Sequence, residues 1–138
     1  MDDDARDAYR QFAAMVRAGL DFGSMWLDRF TAPGFSGRFP SRVEGIMAWI
    51  DAAPREVLAA ELEAFGGAPD LRPRLGDIAV PVTARVGEFD VATPRTCSED
   101  IVRGVRRGEL QIVAGCGHAL LDEDREATVD AVAGAIAA

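Results

Sequence analysis

The chain holds one histidine, His118, inside the string "IVAGCGHALLDED", Ile112 to Asp124. An apolar run comes first, then a Gly-Cys-Gly turn, the imidazole, and an acidic helix start. Imidazole can take up and return a proton near neutral pH, which suits it to general acid–base chemistry. Upstream, Asp90 stands in "VPVTARVGEFDVATP", just past another apolar run. A carboxylate in such a place can accept the Nδ1–H of the imidazole, fix its tautomer and stabilise the imidazolium. Asp90 and His118 are therefore the candidate catalytic pair. Taken singly, each has a plainer reading. His118 is then a turn residue, and Asp90 an Asx-type turn former that the following Thr93-Pro94 tolerates.

Other reactive side chains are less well placed. Cys116 is close to His118, but alternate residues of an extended turn point apart, and a small cysteine there reads as packing. Both cysteines, Cys97 and Cys116, are expected to be free thiols. Ser36 sits in "GFSGR", where the second glycine follows it directly and no strand precedes it. With a single histidine and no Cys-x-x-Cys, no transition-metal ligand spacing is present, and no metal or cofactor is expected. Asp122 and Asp124 read as helix-start charges.

The elements around Asp90 and His118 alternate. "VPVTARVG" reads as a strand, Ser98 as the cap of a helix to about Arg107 with Ile101, Val102 and Val105 inward, and "ELQIVAG" as a second strand. A final amphipathic helix, "EDREATVDAVAGAIAA", carries Val129, Val132 and Ile136 as its apolar stripe. Strand, helix, strand, helix implies a parallel pair with a crossover. Reactive side chains of open α/β sheets collect at the carboxyl ends of strands, where both Asp90 and His118 would lie. The first strand alternates Val82, Ala84, Val86 with Thr83 and Arg85, unlike a strand covered by apolar layers on both faces. A buried Arg85 would need a partner charge.

The preceding half reads as helical. Tyr9, Phe12, Ala13, Val16 and Leu20 make one face of a helix from Asp4 to about Gly19. A short helix, Ser24 to Phe30, carries Trp26 and Phe30, and "TAPGFSGRFP" reads as loop. Ser41 with Glu44 fits a capping box, followed by Val43, Ile46, Met47 and Ile50 on one face. Pro54 suits the first turn of a further helix, whose face is Leu58, Leu62 and Phe65 and whose stop is Gly66-Gly67.

The ordered pair of motifs resembles the C-terminal part of the α/β-hydrolase family. There the acid follows a strand ending in Gly-x-x-Asp, here Gly87 to Asp90, and the histidine follows the last strand in Gly-x-Gly-His, here Gly115 to His118. The helical half resembles that family's cap, and "WLDRFTAPGF" with "DLRPRLGDIAVPV" is loosely similar to 3-oxoadipate enol-lactonases. The resemblance implies an α/β fold: a cap-like helical segment over 1–69, then a β-α-β-α segment with two parallel strands over 70–138. It implies a hydrolase for small esters or lactones in which Asp90 orients His118. Trp26, Phe30 and Trp49 are candidates to line a substrate pocket under the cap, and equally candidates for the core or an interface, since aromatics bury large area wherever apolar contact exists. The family's nucleophile elbow, Gly-x-Ser-x-Gly, is absent, so the serine would come from another chain. An alternative is a degenerate relative that binds a ligand or partner without hydrolysis. A further one is other chemistry that uses His118 alone.

Bulk properties set outer limits. The chain has 138 residues, 49% apolar and 28% charged, enough for a globular domain with a core. A net charge of −8 argues against nucleic acid or an anionic membrane surface as partner. No apolar run approaches the roughly 20 residues of a membrane span. "MDDDARD" lacks the character of a signal peptide, so a cytoplasmic address is expected. Two strands make a poor sheet with open edges. Self-association or a second subunit pairing there is therefore expected.

Overall fold

A computed structural model describes residues 3–137. Five helices come first: α1 (Asp3–Arg17), α2 (Phe22–Phe30), the single turn α3 (Phe35–Arg38), α4 (Pro40–Ala52) and α5 (Arg55–Gly67). A 3-10 turn, Arg72–Asp77, leads to β1 (Val82–Gly87), α6 (Arg95–Gly104), β2 (Gly108–Val113), α7 (Leu120–Glu123) and α8 (Arg125–Ala137). The expected last residue of α8, Ala138, lies outside the described residues.

Helical periodicity builds the first core. Ala13 and Val16 of α1 are buried against Leu58, Ala59 and Leu62 of α5. Arg17 reaches across the same seam and donates to Glu56 at 2.9 Å and Glu63 at 2.7 Å. A second cluster joins Phe35 to Ile46 and Ile50 of α4, with Trp26 and Leu27 of α2 packed on it. Phe22 touches both clusters, so α2 links the two.

Several local expectations are corrected. The "FSGR" stretch is a helical turn rather than loop, because Phe35 is drawn into the core. Ser41 does not cap α4. The helix starts one residue earlier at Pro40, whose missing N–H suits the first turn, so the hydroxyl has no capping position. Ser98 likewise lies inside α6, which begins after Pro94 and ends at Gly104. Phe65 is largely exposed and leans on Tyr9. The helix α8, expected to be amphipathic, does not separate an apolar from a polar face, and Val129, Val132 and Ile136 are 52%, 56% and 82% exposed.

The sheet is a parallel pair in register from Val82 opposite Gly108 to Gly87 opposite Val113, with α6 as the crossover. Val82 N–H donates to the Arg107 carbonyl and Glu88 N–H to that of Val113. Thr83, Arg85 and Gly87 therefore aim their backbone groups at the opposite edge of β1. Among the described residues no strand pairs there. Arg85 finds its partner charge in Asp124 at 3.3 Å and also donates to the Ala127 carbonyl, which ties β1 to the start of α8. No helix among the described residues is long and apolar enough to cross a membrane.

Candidate active site

Two turns at the carboxyl ends of β1 and β2 brace each other. Phe89 N–H donates to the Cys116 carbonyl at 2.9 Å, and Gly115 N–H donates to the Glu88 carboxylate at 2.9 Å. Gly115 turns the chain in the left-handed region, φ 73°, which glycine adopts without a Cβ penalty. A Cβ on Gly87 would collide with the carbonyl oxygens of Gly117 and Cys116. The missing side chain at Gly87 thus lets the histidine turn lie directly on the end of β1.

These turns bring Asp90 and His118 together. Asp90 Oδ2 lies 2.9 Å from His118 Nδ1. Thr93 Oγ1 donates to the same carboxylate oxygen at 3.0 Å and stands 3.1 Å from Nδ1. The other oxygen, Oδ1, accepts the N–H groups of Ala92 at 2.9 Å and Thr93 at 2.8 Å. Asp90 thus forms the Asx turn and holds the histidine at once. Its side chain is 5% exposed, against 37% for His118.

The electrostatics follow from these contacts. Burial alone would push the Asp90 carboxyl up. The Thr93 backbone, His118 and the Thr93 hydroxyl together outweigh it and hold the group below the ordinary 3.8. A carboxylate only accepts, so the imidazole proton sits on Nδ1 and Nε2 keeps its lone pair. Nε2 has no hydrogen-bond partner among the described residues. An exposed lone pair on a ring held from behind is the geometry of a general base.

The helix α2 contributes a row of rings. Phe30 meets His118 edge-on at 5.1 Å between centroids, and Trp26 stacks on Phe30 at 5.4 Å. Trp49 is not part of this row. It is 62% exposed and lines, with Trp26, Arg42 and Arg125, a groove of about 560 Å³ whose walls include neither Phe30 nor His118. Cys116 is buried, and burial pushes its thiol up, so it has no thiolate character. Among the described residues no serine hydrogen-bonds to His118. Ser36 lies on α3, which follows the bend at Gly34 and not a strand.

Two residues at the site escaped sequence reading. Thr93 could have been found, since a hydroxyl three residues after an Asp turn former falls back on its carboxylate. Glu123 had no such signal. It accepts from Gly117 N–H and from Ala32 N–H, and the latter is 91 positions away.

The fold is that of the C-terminal half of an α/β-hydrolase, helices followed by a short parallel β-α-β-α segment. Three solved structures carry the likeness. A thermophilic esterase from Thermogutta terrifontis matches with a TM-score of 0.85 and 23% identity over 97% of this chain and 50% of its own. The enol-lactonase from Burkholderia xenovorans gives 0.83 and 20% over 91% of this chain and 48% of its own. A hydrolase from Pseudomonas aeruginosa gives 0.85 and 24% over 96% and 51%. The chain thus spans about half the length of the structures it matches. No protein-family model and no curated protein matches it.

Proposed function

We propose that this chain supplies the acid–base pair and the cap of a hydrolase for small carboxylic esters or lactones, with the nucleophilic serine on another chain. The observation that carries this reading is the Asp90–His118 contact at 2.9 Å, with Nε2 left free. Nε2 of His118 takes the serine proton as the hydroxyl attacks the ester carbonyl. It returns that proton to the leaving alkoxide, then deprotonates the water that attacks the acyl group and passes that proton to the serine oxygen as the acyl–serine bond breaks. Asp90 holds Nδ1–H and stabilises the imidazolium formed at each transfer. The partner is proposed to add strands at the free edge of β1, and Trp26 and Phe30 to wall the acyl pocket above the imidazole.

The test is hydrolysis of small aryl esters and lactones by the protein assembled with a chain that carries Gly-x-Ser-x-Gly. Activity is expected only with both chains present. His118→Ala should lower kcat about 10³-fold or more with the fold retained. Full activity in that variant sinks the reading.

A second reading is favoured by the separate groove. Both tryptophans of the chain border it, and neither needs His118 there. A ligand-binding protein without hydrolysis would use this groove. Trp26→Ala and Trp49→Ala would then weaken binding while His118→Ala leaves it unchanged. Unaltered affinity after both tryptophan changes rules this reading out.

A further inference from the structure

We infer that Glu123 is a positioning residue for His118, a clamp that fixes the histidine turn to the end of cap helix α2. The inference rests on the reading of His118 as the base. Glu123 Oε1 accepts the N–H of Gly117, the residue before His118, at 2.9 Å. Its Oε2 accepts the N–H of Ala32, two residues past α2, at 2.8 Å. On the other side of the histidine, Ala119 N–H donates to the carbonyl of Phe30 at 2.9 Å. His118 is thus pinned to α2 through both of its neighbours, and Phe30 also sets its ring against the imidazole.

The clamp has a definite donor pattern. At the end of α2 the Leu27 carbonyl already accepts both the N–H and the hydroxyl of Thr31. Ala32 and Gly117 are both buried, so each N–H needs an acceptor inside the protein. The backbones are close: a Cβ on Gly117 would stand 2.7 Å from the carbonyl carbon of Thr31. Both groups facing Glu123 are donors. A carboxylate offers an acceptor at each end, whereas the amide of glutamine offers one acceptor and one NH2. Glu123→Gln keeps length and shape yet leaves one buried N–H facing another donor. Shape alone would be rescued by glutamine; the clamp is not.

His118 is the sole imidazole, so its ring protons are unambiguous by NMR. The test uses the 138-residue chain without substrate. The unsubstituted protein should show a slowly exchanging downfield Nδ1–H. In Glu123→Gln that signal should broaden or vanish, and the amides of Gly117 and Ala32 should exchange roughly tenfold faster or more. The amides of Leu58 and Leu62 should keep their protection and so report an intact fold. A variant with an unaltered Nδ1–H and unaltered Gly117 and Ala32 exchange overturns the inference. Should the variant fail to fold, the unsubstituted protein still decides. One clamp requires the two amides to open together, with similar protection, and free exchange at either one overturns it. Since no turnover is read, failure of ester hydrolysis leaves this result standing, and failure of the clamp leaves the acid–base reading standing.

Discussion

Asp90 carries four hydrogen bonds on two oxygens, and that load has a pH signature. Its folded-state pKa lies below the ordinary 3.8, so the group adds stability above that value and loses it as pH falls through the folded one. Asp90→Asn should cost about 1–3 kcal/mol near neutral pH, because an amide places a donor where only donors point. The difference between the two proteins in urea unfolding should shrink as the pH falls through 3.8 and on through the lower folded-state value. A constant difference over that range contradicts an ionised, hydrogen-bonded Asp90. The cysteines give a second test at this scale. Cys97 is exposed, while burial of Cys116 raises its thiol pKa and keeps it neutral. A thiol reagent should label Cys97 in a fast phase and Cys116 in a slow one, and Cys97→Ser should remove the fast phase alone. Equal rates would revive Cys116 as a nucleophile. The pair itself was legible, because Gly-x-x-Asp and Gly-x-Gly-His each follow an apolar run. Glu123 was not, since nothing near it in sequence reveals Ala32.

Elements place these residues through close backbone contacts more than through side-chain volume. Gly87 is the sharpest case, and Gly87→Ala should cost about 1–3 kcal/mol by overpacking, because carbonyl groups and not flexible side chains stand in the way. The same change at Gly45, which has open space around it, should stay near neutral or stabilise α4 through alanine's helix propensity. Urea midpoints of the two variants compare them directly, and equal midpoints contradict the packing of the histidine turn on β1. Helix and strand identities were largely legible, since the period of Ala13 and Val16 against Leu58 and Leu62 is the seam itself. Helix starts were less so. At Pro40 the ring fixed the first turn one residue before the serine that looked like a cap, so backbone constraint prevailed over side-chain capping, and α6 starts at Arg95, just past Pro94 and three residues before Ser98. α3 was hidden because its burial depends on Phe35 meeting Ile46 and Ile50 of another helix.

At the scale of the whole molecule, the residues expected as the apolar stripe of α8 have nothing packed over them among the described residues. The spacing of apolar residues does not say what covers them, and the covering layer need not lie in the same 138 residues. Val129, Val132 and Ile136 are half or more exposed, and β1 leaves one edge unpaired by any described strand. Both features suit the proposed partner chain, which would extend the sheet and cover α8. The protein by itself should then associate through the same surfaces, with a sedimentation mass that rises with concentration. Val132→Asp places a charge on an exposed position and should change stability by no more than about 0.5 kcal/mol. It should also lower both self-association and recovery of activity with a serine-bearing chain, while the Nδ1–H signal of His118 stays in place. If the charge changes neither the mass nor the recovery, α8 is a solvent-facing helix and the partner must bind elsewhere.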